Sequence, residues 1–382
     1  MIDLDHDRTA LGRLPEAATL YLRPTGFGAT PFNDPAGVRR LAGGLVWFGL
    51  VQVIVREGKQ RRASVLVPVA EMEQVIASLP DAHRARAQRQ WQALLAPRPA
   101  LDMGHGKTLP FDRPTVMGIL NVTPDSFSDG GKHVDAAVAA DTAWAMREAG
   151  AALVDIGAET TQPGAKPVWE GDEIERMRPV LERLANQPIP WSADTRKAAV
   201  MRFALEHGVG IINDVSALEY DPEAVGVVAK SGVPVVLMHY QGTPQTMQQN
   251  PTYDDALLDV YDWLEARINA CVAAGIAREK IILDPGIGFG KTVRHNLEIL
   301  NGLGLYHALG CPILLGVSRK RFIAALSREE AASERLPGSL AVAVQGAAQG
   351  VQMFRVHDVP ETVQALKIWQ GMQDIALMPP GL

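Results

Sequence analysis

Along most of this chain, short apolar runs end in polar residues of the kinds that bind and activate small molecules. The stretch 118–131, GILNVTPDSFSDGG, is the first example, because its apolar start changes at Asn121 into a polar loop closed by two glycines. Seven later runs end in the same way, which is more regular than ordinary surface loops would be. The first polar residues at the eight run ends are Asn121, Glu159, Asp194, Asn213, His239, Asp284, Ser318 and, in and after the last run, Arg355 and His357.

These residues fall into two chemical groups. The last two runs supply a set of cations, namely Arg319, Lys320, Arg321, Arg355 and His357. Such a cluster predicts a site for an anion. The other runs supply donors and acceptors suited to a heterocycle with N–H and C=O edges, namely Asp194, Asn213 and Asp284. Taken singly, each carboxylate could instead cap a helix or lie in a solvated turn, and His239 could be a structural histidine.

The elements that must position these residues alternate between a short apolar run and a helical pattern. The runs are 115–120, 153–156, 189–193, 210–212, 233–238, 281–283, 312–316 and 353–356. Helical patterns separate them, for example at 134–148, 197–207, 254–274 and 359–373. Eight strand–helix units in about 260 residues predict an α/β fold, a (β/α)8 TIM barrel with its site at the carboxyl ends of the strands. A doubly wound open sheet is the alternative, although no G-x-G-x-x-G follows the first run.

The segment 284–292, DPGIGFGKT, resembles a nucleotide-binding loop but lacks one of its glycines. That loop needs a glycine five residues before Gly290, and Pro285 stands there. An ATPase function is therefore excluded. The glycines indicate instead a tight backbone turn beneath a flat ligand, on which Phe289 could stack.

The composition and net charge limit the kinds of protein that this chain can be. The chain has 382 residues and a net charge of −6, so it lacks the basic surplus that a nucleic-acid partner requires. Cys271 and Cys311 are its only cysteines, and their spacing predicts reduced core residues and no metal site. The start lacks the apolar run of a secretion signal, and no stretch has the length of a membrane span. We therefore expect a cytoplasmic protein without a membrane partner.

Residues 1–108 differ in character from the regular repeat and predict a small α+β N-terminal region of unknown role. Two apolar runs flank a basic turn at 57–62 and lead into two helical patterns. Residues 96–114, with several prolines and glycines, predict a linker or a strap over the next domain. The predicted domains are thus 1–108 and a barrel at 109–382.

Several stretches together resemble the dihydropteroate synthase family. In the family's order they are GILNVTPDSFSDGG (118–131), GAETTQPGA (157–165), DTRK (194–197), INDVSAL (212–218), MHYQGTPQTMQ (238–248), LDPGIGFGKT (283–292), GVSRKRF (316–322) and RVHDV (355–359). They cover the whole predicted barrel and leave the N-terminal region outside. The resemblance implies a transferase of folate biosynthesis that joins 6-hydroxymethyl-7,8-dihydropterin pyrophosphate to 4-aminobenzoate and releases pyrophosphate. It also implies Mg²⁺ as cofactor and a homodimer.

Carried over by position, the resemblance implies a role for most of the residues above. Those expected at the pterin are Asp194, Asn213, Asp284, Phe289 and Lys320. Those expected at the pyrophosphate are Asn121, which would also be the Mg²⁺ ligand, Arg355 and His357. Those expected at the aminobenzoate are Phe127, Thr161, Gln162, Pro163 and Arg321. The expected catalytic residues are Asp284, Lys320 and Arg355.

Two positions depart from the family pattern, and both lie on the aminobenzoate side. Gln162 replaces the arginine of the family's Thr-Arg-Pro-Gly, and Arg321 replaces the last serine of its Ser-Arg-Lys-Ser. We hypothesise that Arg321 supplies some of the positive charge lost at Gln162, because an arginine can pair with a carboxylate through two hydrogen bonds. The alternative is that Arg321 points into solvent from the start of the next helix.

Two other functions are compatible with parts of the sequence. Pterin-binding methyltransferases that serve corrinoid cofactors resemble the same barrel, but they have no pyrophosphate to hold. A paralogue that binds pterin without catalysis would need no pyrophosphate site either. The presence of Asn121, Arg355 and His357 therefore favours the synthase.

Overall fold

The computed structural model describes residues 8–28, 36–104, 106–123, 132–160, 164–184 and 190–376. Its first part is a small antiparallel sheet with two helices: β1 (Ala18–Gly28), β2 (Arg39–Arg40), β3 (Trp47–Glu57), β4 (Gln60–Pro68), α1 (Met72–Ser78) and α2 (Asp81–Leu95). Strand β3 pairs antiparallel with both β1 and β4, and β2 pairs with the start of β3. The predicted α+β character of this region is confirmed.

Strand β1 is a long element that the sequence pattern does not predict. Pro24 lies inside it, and proline is uncommon within strands because it cannot donate a ladder hydrogen bond. The strand tolerates Pro24 because, among the described strands, β3 is its only partner, so one edge needs no donor. The opposite edge keeps a regular register, with Leu20 opposite Val55 and Leu22 opposite Val53.

A short hairpin and eight strand–helix units follow. The hairpin is β5 (Leu101–Asp102) with β6 (Thr108–Leu109). The units comprise β7 (Thr115–Asn121), α3 (Lys132–Glu148), β8 (Leu153–Gly157), α4 (Glu170–Leu184), β9 (Trp191–Asp194), α5 (Ala198–Glu206), β10 (Ile211–Asp214), α6 (Ala224–Ser231), β11 (Val235–Met238), α7 (Ala256–Ala273), β12 (Ile281–Asp284), α8 (Val293–Asn301), β13 (Leu314–Leu315), α9 (Arg321–Leu326), α10 (Leu336–Ala348), β14 (Met353–Val356) and α11 (Val359–Ala376).

The eight strands from β7 to β14 form one parallel sheet that closes on itself. The order along the sheet is β12-β11-β10-β9-β8-β7-β14-β13, and every pairing is parallel. A parallel bridge between Leu283 and Ile313 joins the two ends. Because no open edge is left between them, the predicted TIM barrel is confirmed and the doubly wound sheet is excluded.

The interior of the barrel has an apolar layer below a polar one. Seven interior residues near the start of the strands pack with the hairpin as one cluster: Met117, Leu153, Ile211, Val236, Ile282, Leu314 and Met353. The hairpin contributes Leu101 and Leu109, so it closes the floor of the barrel. Since side chains alternate along a strand, the residue two positions further on also points inward. Those residues include Asp155 after Leu153 and Asn213 after Ile211.

The segment between the two parts of the chain is therefore a structural part of the barrel. The predicted linker or strap at 96–114 contains the floor hairpin, and the predicted domain boundary after residue 108 falls inside it. Cys271 and Cys311 are buried and unpaired, as the sequence predicts. Within the described ranges, none of the helices combines the length and the apolar content needed to cross a bilayer.

Candidate active site

Polar residues from neighbouring strands meet in the upper interior of the barrel. Asp194 and Asp284 end β9 and β12, and Asn213 lies beside Asp194 in the register of β10 with β9. The exposed fractions of Asp194, Asn213 and Asp284 are 9%, 4% and 6%, so each side chain is withdrawn from bulk water. The structure thus brings together the three residues predicted to face a heterocycle.

Arg355 crosses this polar layer and is bound by two carboxylates. Its Nε donates to Oδ2 of Asp155 at 2.7 Å, and its other guanidinium nitrogen donates to Oδ2 of Asp194 at 2.7 Å. Burial raises the pKa of Asp194, while the positive charge of Arg355 opposes that rise. Arg355 therefore links the predicted anion side of the site to the predicted heterocycle side.

Asp155 is a site residue that the sequence reasoning missed. It lies in the middle of the apolar run LVDIG and is fully buried. Its Oδ2 also accepts a hydrogen bond from the amide of Asn213 at 2.8 Å, while Oδ1 has no partner among the described atoms. Reading only the residue after each run could not find it. The available signal was a carboxylate inside an otherwise apolar strand.

Asp284 and Lys320 form the other side of the polar layer. Oδ1 of Asp284 accepts a hydrogen bond from the backbone N–H of Gly286 at 2.7 Å. Burial raises the pKa of Asp284 to about 6, and burial lowers the pKa of Lys320 to about 8 despite the nearby Asp284 charge. The ammonium of Lys320 lies 4.1 Å from the centre of the Phe289 ring, a cation–π contact. This corner offers a carboxylate, a cation and an aromatic face.

The glycine-rich turn beneath Phe289 is built around a buried lysine. Lys291 donates to the carbonyl oxygens of Gly286 at 2.9 Å and Phe289 at 3.0 Å, and to Nδ1 of His239 at 2.8 Å. Gly286 has φ of +67°, and a Cβ there would lie 1.8 Å from the carbonyl oxygen of His239. Because the ammonium of Lys291 is used inside the turn, it is not presented to a phosphate. This agrees with the exclusion of a nucleotide-binding loop, and it gives His239 a structural role.

The cationic residues after β13 and β14 are not all free to meet an anion. Arg319 forms an ion pair with Asp358 through two hydrogen bonds. The backbone N–H of His357 donates to the Ser318 hydroxyl at 3.1 Å, and His357 Nδ1 lies 3.0 Å from the same oxygen. Burial, together with the nearby Arg355, lowers the pKa of His357 to about 4, so this imidazole is neutral at neutral pH.

The predicted aminobenzoate side is described only in part. Phe127, Thr161, Gln162 and Pro163 lie outside the described residues. Arg321 is the first residue of α9, and its side chain is exposed.

One carboxylate anchors both ends of the loop that follows β8. Glu159 accepts hydrogen bonds from the backbone N–H of Val168 at 2.8 Å and from Nε of Arg196 at 3.0 Å. Glu159 and Arg196 are 7% and 8% exposed, so the pair is buried. Since Arg196 follows Asp194 by two residues, this pair fixes the base of the loop to the strand end that carries Asp194.

Comparison with known proteins identifies the family of this barrel. A family model described as "Pterin binding enzyme" matches residues 117–357. The dihydropteroate synthase of Escherichia coli K12 is 47% identical over 264 residues, which are 69% of this chain and 93% of that relative. A crystal structure of Yersinia pestis dihydropteroate synthase with a sulfonamide drug superposes with a TM-score of 0.68 at 46% identity, over 72% of this chain and 100% of that one. The chain belongs to the dihydropteroate synthase family.

Solved complexes of other dihydropteroate synthases bear on the ligands. Xanthomonas albilineans dihydropteroate synthase has been solved with 4-aminobenzoic acid, with a TM-score of 0.68 at 46% identity, over 72% of this chain and 98% of that one. The same organism's enzyme has also been solved with 7,8-dihydropteroate, with a TM-score of 0.65 at 44% identity, over 72% of this chain and 99% of that one. The predicted family and transferase class are therefore confirmed.

Replacing the buried lysine of the glycine turn should destabilise the fold. Lys291→Met removes the hydrogen bonds to His239 and to the carbonyl oxygens of Gly286 and Phe289, so we expect a loss of about 3 kcal/mol in the free energy of unfolding. Urea unfolding followed by circular dichroism measures it. The matched control is Lys230→Met, because Lys230 is exposed in the last turn of α6. A loss below about 1 kcal/mol for Lys291→Met would contradict this account of the turn.

Proposed function

We propose that this chain is a working dihydropteroate synthase that condenses 6-hydroxymethyl-7,8-dihydropterin pyrophosphate with 4-aminobenzoate, giving 7,8-dihydropteroate and pyrophosphate. The observation that carries the proposal is the buried polar layer at the strand ends. There Arg355, expected to bind the pyrophosphate, is hydrogen-bonded to Asp194, expected to bind the pterin. The 47% identity to the Escherichia coli synthase supports it.

The pterin is proposed to enter the polar layer edge first. Asp194 and Asn213 would meet its N–H and C=O groups, because a carboxylate accepts while an amide both donates and accepts. Phe289 would lie against its rings beside the ammonium of Lys320. Since Asp194 and Asn213 are buried, hydrogen bonds to them would compete with little water, which strengthens recognition.

The reaction requires a C–O bond to break and a C–N bond to form at the pterin methylene carbon. Pyrophosphate leaves with the C–O electron pair, and Arg355 and neutral His357 would stabilise its growing charge. The carboxylate of Asp284 stabilises the positive charge left on the pterin. The aniline nitrogen then donates its electron pair to the carbon and releases a proton to water. Positioning and electrostatics suffice, and no covalent intermediate with the protein is needed.

Magnesium is proposed to arrive with the pyrophosphate. Within the described ranges no cluster of three or more histidines, cysteines or carboxylates could hold a metal ion by itself. Asn121, exposed at the end of β7, offers one side-chain oxygen. This donor set fits Mg²⁺, which commonly keeps several waters and relies on substrate phosphates for its other ligands. When bound, the ion would neutralise part of the pyrophosphate charge.

A homodimer is also proposed, and an exposed apolar stripe on α11 supports it. Ile368, Met372 and Ile375 are 65%, 55% and 62% exposed and share one face of the helix. Such a stripe favours contact with another protein surface. Light scattering should give a mass near twice 41.2 kDa for the purified chain and near 41.2 kDa for Ile368→Asp/Met372→Asp. A wild-type mass of one chain at micromolar concentration would remove this proposal. The cytoplasmic location remains a prediction.

Activity can be tested by pyrophosphate release. The purified chain with Mg²⁺ and both substrates should release pyrophosphate, and omission of 4-aminobenzoate should abolish the release, because the amine is the attacking group. Asp284→Asn should lower kcat by roughly 100-fold or more, since a neutral amide cannot stabilise the cation as the carboxylate does. Arg202→Gln, an exposed arginine of α5, is the control. Release at the same rate without 4-aminobenzoate would exclude the synthase reaction.

The pH dependence of kcat/KM should be bell-shaped. Activity should rise as Asp284 loses its proton near pH 6 and fall as Lys320 loses its proton near pH 8. Lys320→Arg keeps its charge at these pH values, so it should remove the alkaline fall without moving the acidic rise. Steady-state kinetics from pH 5 to pH 10 measures both limbs. An alkaline fall that persists unchanged in Lys320→Arg would assign it to another group.

Arg321 is proposed to replace some of the positive charge absent at Gln162. If so, Arg321→Ser should raise KM for 4-aminobenzoate by roughly 5- to 20-fold, because a charge-assisted pair with the carboxylate is lost. KM for the pterin substrate should stay within about two-fold, since Arg321 is not proposed to contact it. The control is Arg328→Ser, an exposed arginine beyond α9. An unchanged KM for 4-aminobenzoate would leave Arg321 as a surface residue.

A further inference from the structure

The N-terminal region precedes the segment 117–357 that matches the family, yet it is joined to barrel helix α7 by a row of ion pairs. The acidic residues lie at the start and along one side of α7, and the basic ones come from β3, the turn after it, β4 and α2. The pairs are Lys59–Asp254, Arg61–Asp255, Arg56–Asp259, Arg56–Asp262 and Arg86–Glu265.

The same surface is also packed by aromatic side chains. Tyr21 of β1 meets Tyr261 of α7 edge to face, with ring centres 5.4 Å apart. Its hydroxyl donates to the carboxylate of Asp262 at 2.8 Å. Both tyrosine rings belong to the apolar core that the two parts of the chain share. The N-terminal region is therefore fixed against α7.

Two of the ion pairs hold the carboxylates that shape the first turn of α7. Asp255 is the N-cap, and its Oδ1 accepts from the N–H of Leu258 at 3.2 Å. Its Oδ2 accepts from Nε and the terminal nitrogen of Arg61 at 3.0 and 2.8 Å. Arg61 thus fixes the orientation of a cap that satisfies an otherwise unpaired helix N–H.

Asp259 has a parallel role one turn further on. Its Oδ2 accepts from the backbone N–H groups of Asp254 and Asp255, at 2.9 and 3.2 Å, while its Oδ1 pairs with Arg56 at 2.5 Å. The side chains of Arg56 and Asp259 are 9% and 24% exposed, so solvent screens this pair less than a surface pair. The backbone entering α7 is consequently held from the N-terminal region.

Tyr253, just before the first turn of α7, contacts the glycine turn of the proposed pterin pocket. Tyr253 donates its hydroxyl proton to the carbonyl oxygen of Gly290 at 2.8 Å. Gly290 lies between Phe289, the proposed ring contact, and Lys291, the buried lysine of the turn. A continuous path of hydrogen bonds and chain therefore runs from Arg56 and Arg61 through α7 to the glycine turn.

We propose that the N-terminal region is an intramolecular positioning module, in which Arg56 and Arg61 set the start of α7 and Tyr253 transmits that position to the glycine turn of the pterin pocket. The inference rests on the proposed function for the identity of the pocket's ligand. Arg56, Arg61 and Tyr253 are positioning residues, since their side-chain partners are aspartates and backbone carbonyls.

Kinetics of three variants tests the path. Arg56→Gln/Arg61→Gln should raise KM for the pterin substrate by about 5- to 10-fold and leave KM for 4-aminobenzoate within about two-fold, because only the pterin side is displaced. Tyr253→Phe, which keeps the N-terminal contacts, should raise the same KM. Arg56→Lys/Arg61→Lys should recover part of the loss, because it keeps both charges but replaces each multi-donor guanidinium with a single ammonium. The control is Arg62→Gln, since Arg62 in the same hairpin pairs with Glu57 and not with α7.

Hydrogen exchange separates this proposal from the activity itself. Amides at 286–291 should exchange faster in Arg56→Gln/Arg61→Gln and in Tyr253→Phe than in the wild type or Arg62→Gln, whether or not the wild type releases pyrophosphate. An inactive wild type with this exchange pattern would refute the proposed function and keep the positioning module. A lower melting temperature of Arg56→Gln/Arg61→Gln with unchanged exchange at 286–291 and unchanged pterin KM would overturn the module.

Discussion

The guanidinium of Arg355, bound between Asp155 and Asp194, is the interaction on which the site depends. A buried charge is costly unless opposite charges and hydrogen bonds surround it, and here each group supplies that condition for the others. Removal of Arg355 would leave two carboxylates inside the barrel without the cation that they share. The three residues come from β8, β9 and β14, so the constraint also fixes how these strands are registered around the axis.

The barrel can hold these charges because its interior has an apolar layer at the bottom and a polar layer above it. The apolar layer and the floor hairpin exclude water from below, and the strand period of two then brings Asp155, Asn213 and Arg355 into the next layer. The low polarity beneath explains why burial moves the pKa of Asp284 up and that of Lys320 down. Fold and chemistry are therefore coupled through the packing of the floor.

The sequence predicts the barrel well because eight strand–helix periods are a repeated local signal. It also predicts Asp194, Asn213, Asp284 and Arg355 as neighbours, since parallel strands end at one edge. Asp155 is missed because only the residues that follow each apolar run were considered, and Asp155 lies inside such a run. The pairing of Arg319 with Asp358 and the contacts of Lys291 depend on side chains meeting across separate loops. Local patterns contain no information on such meetings, and the docking of the N-terminal region on α7 is of the same kind.

The floor hairpin lies before the segment that matches the family model, yet it belongs to the core of the barrel. The segment that matches the family model begins at Met117, but Leu101 and Leu109 fill the bottom of the barrel before that point. The matched segment and the folded barrel thus have different borders in this chain. A protein truncated at Met117 would expose the apolar residues at the floor of its barrel to water, whereas one that retained the hairpin would keep them covered. The bounds of a family model and the extent of a folding unit are therefore separate properties.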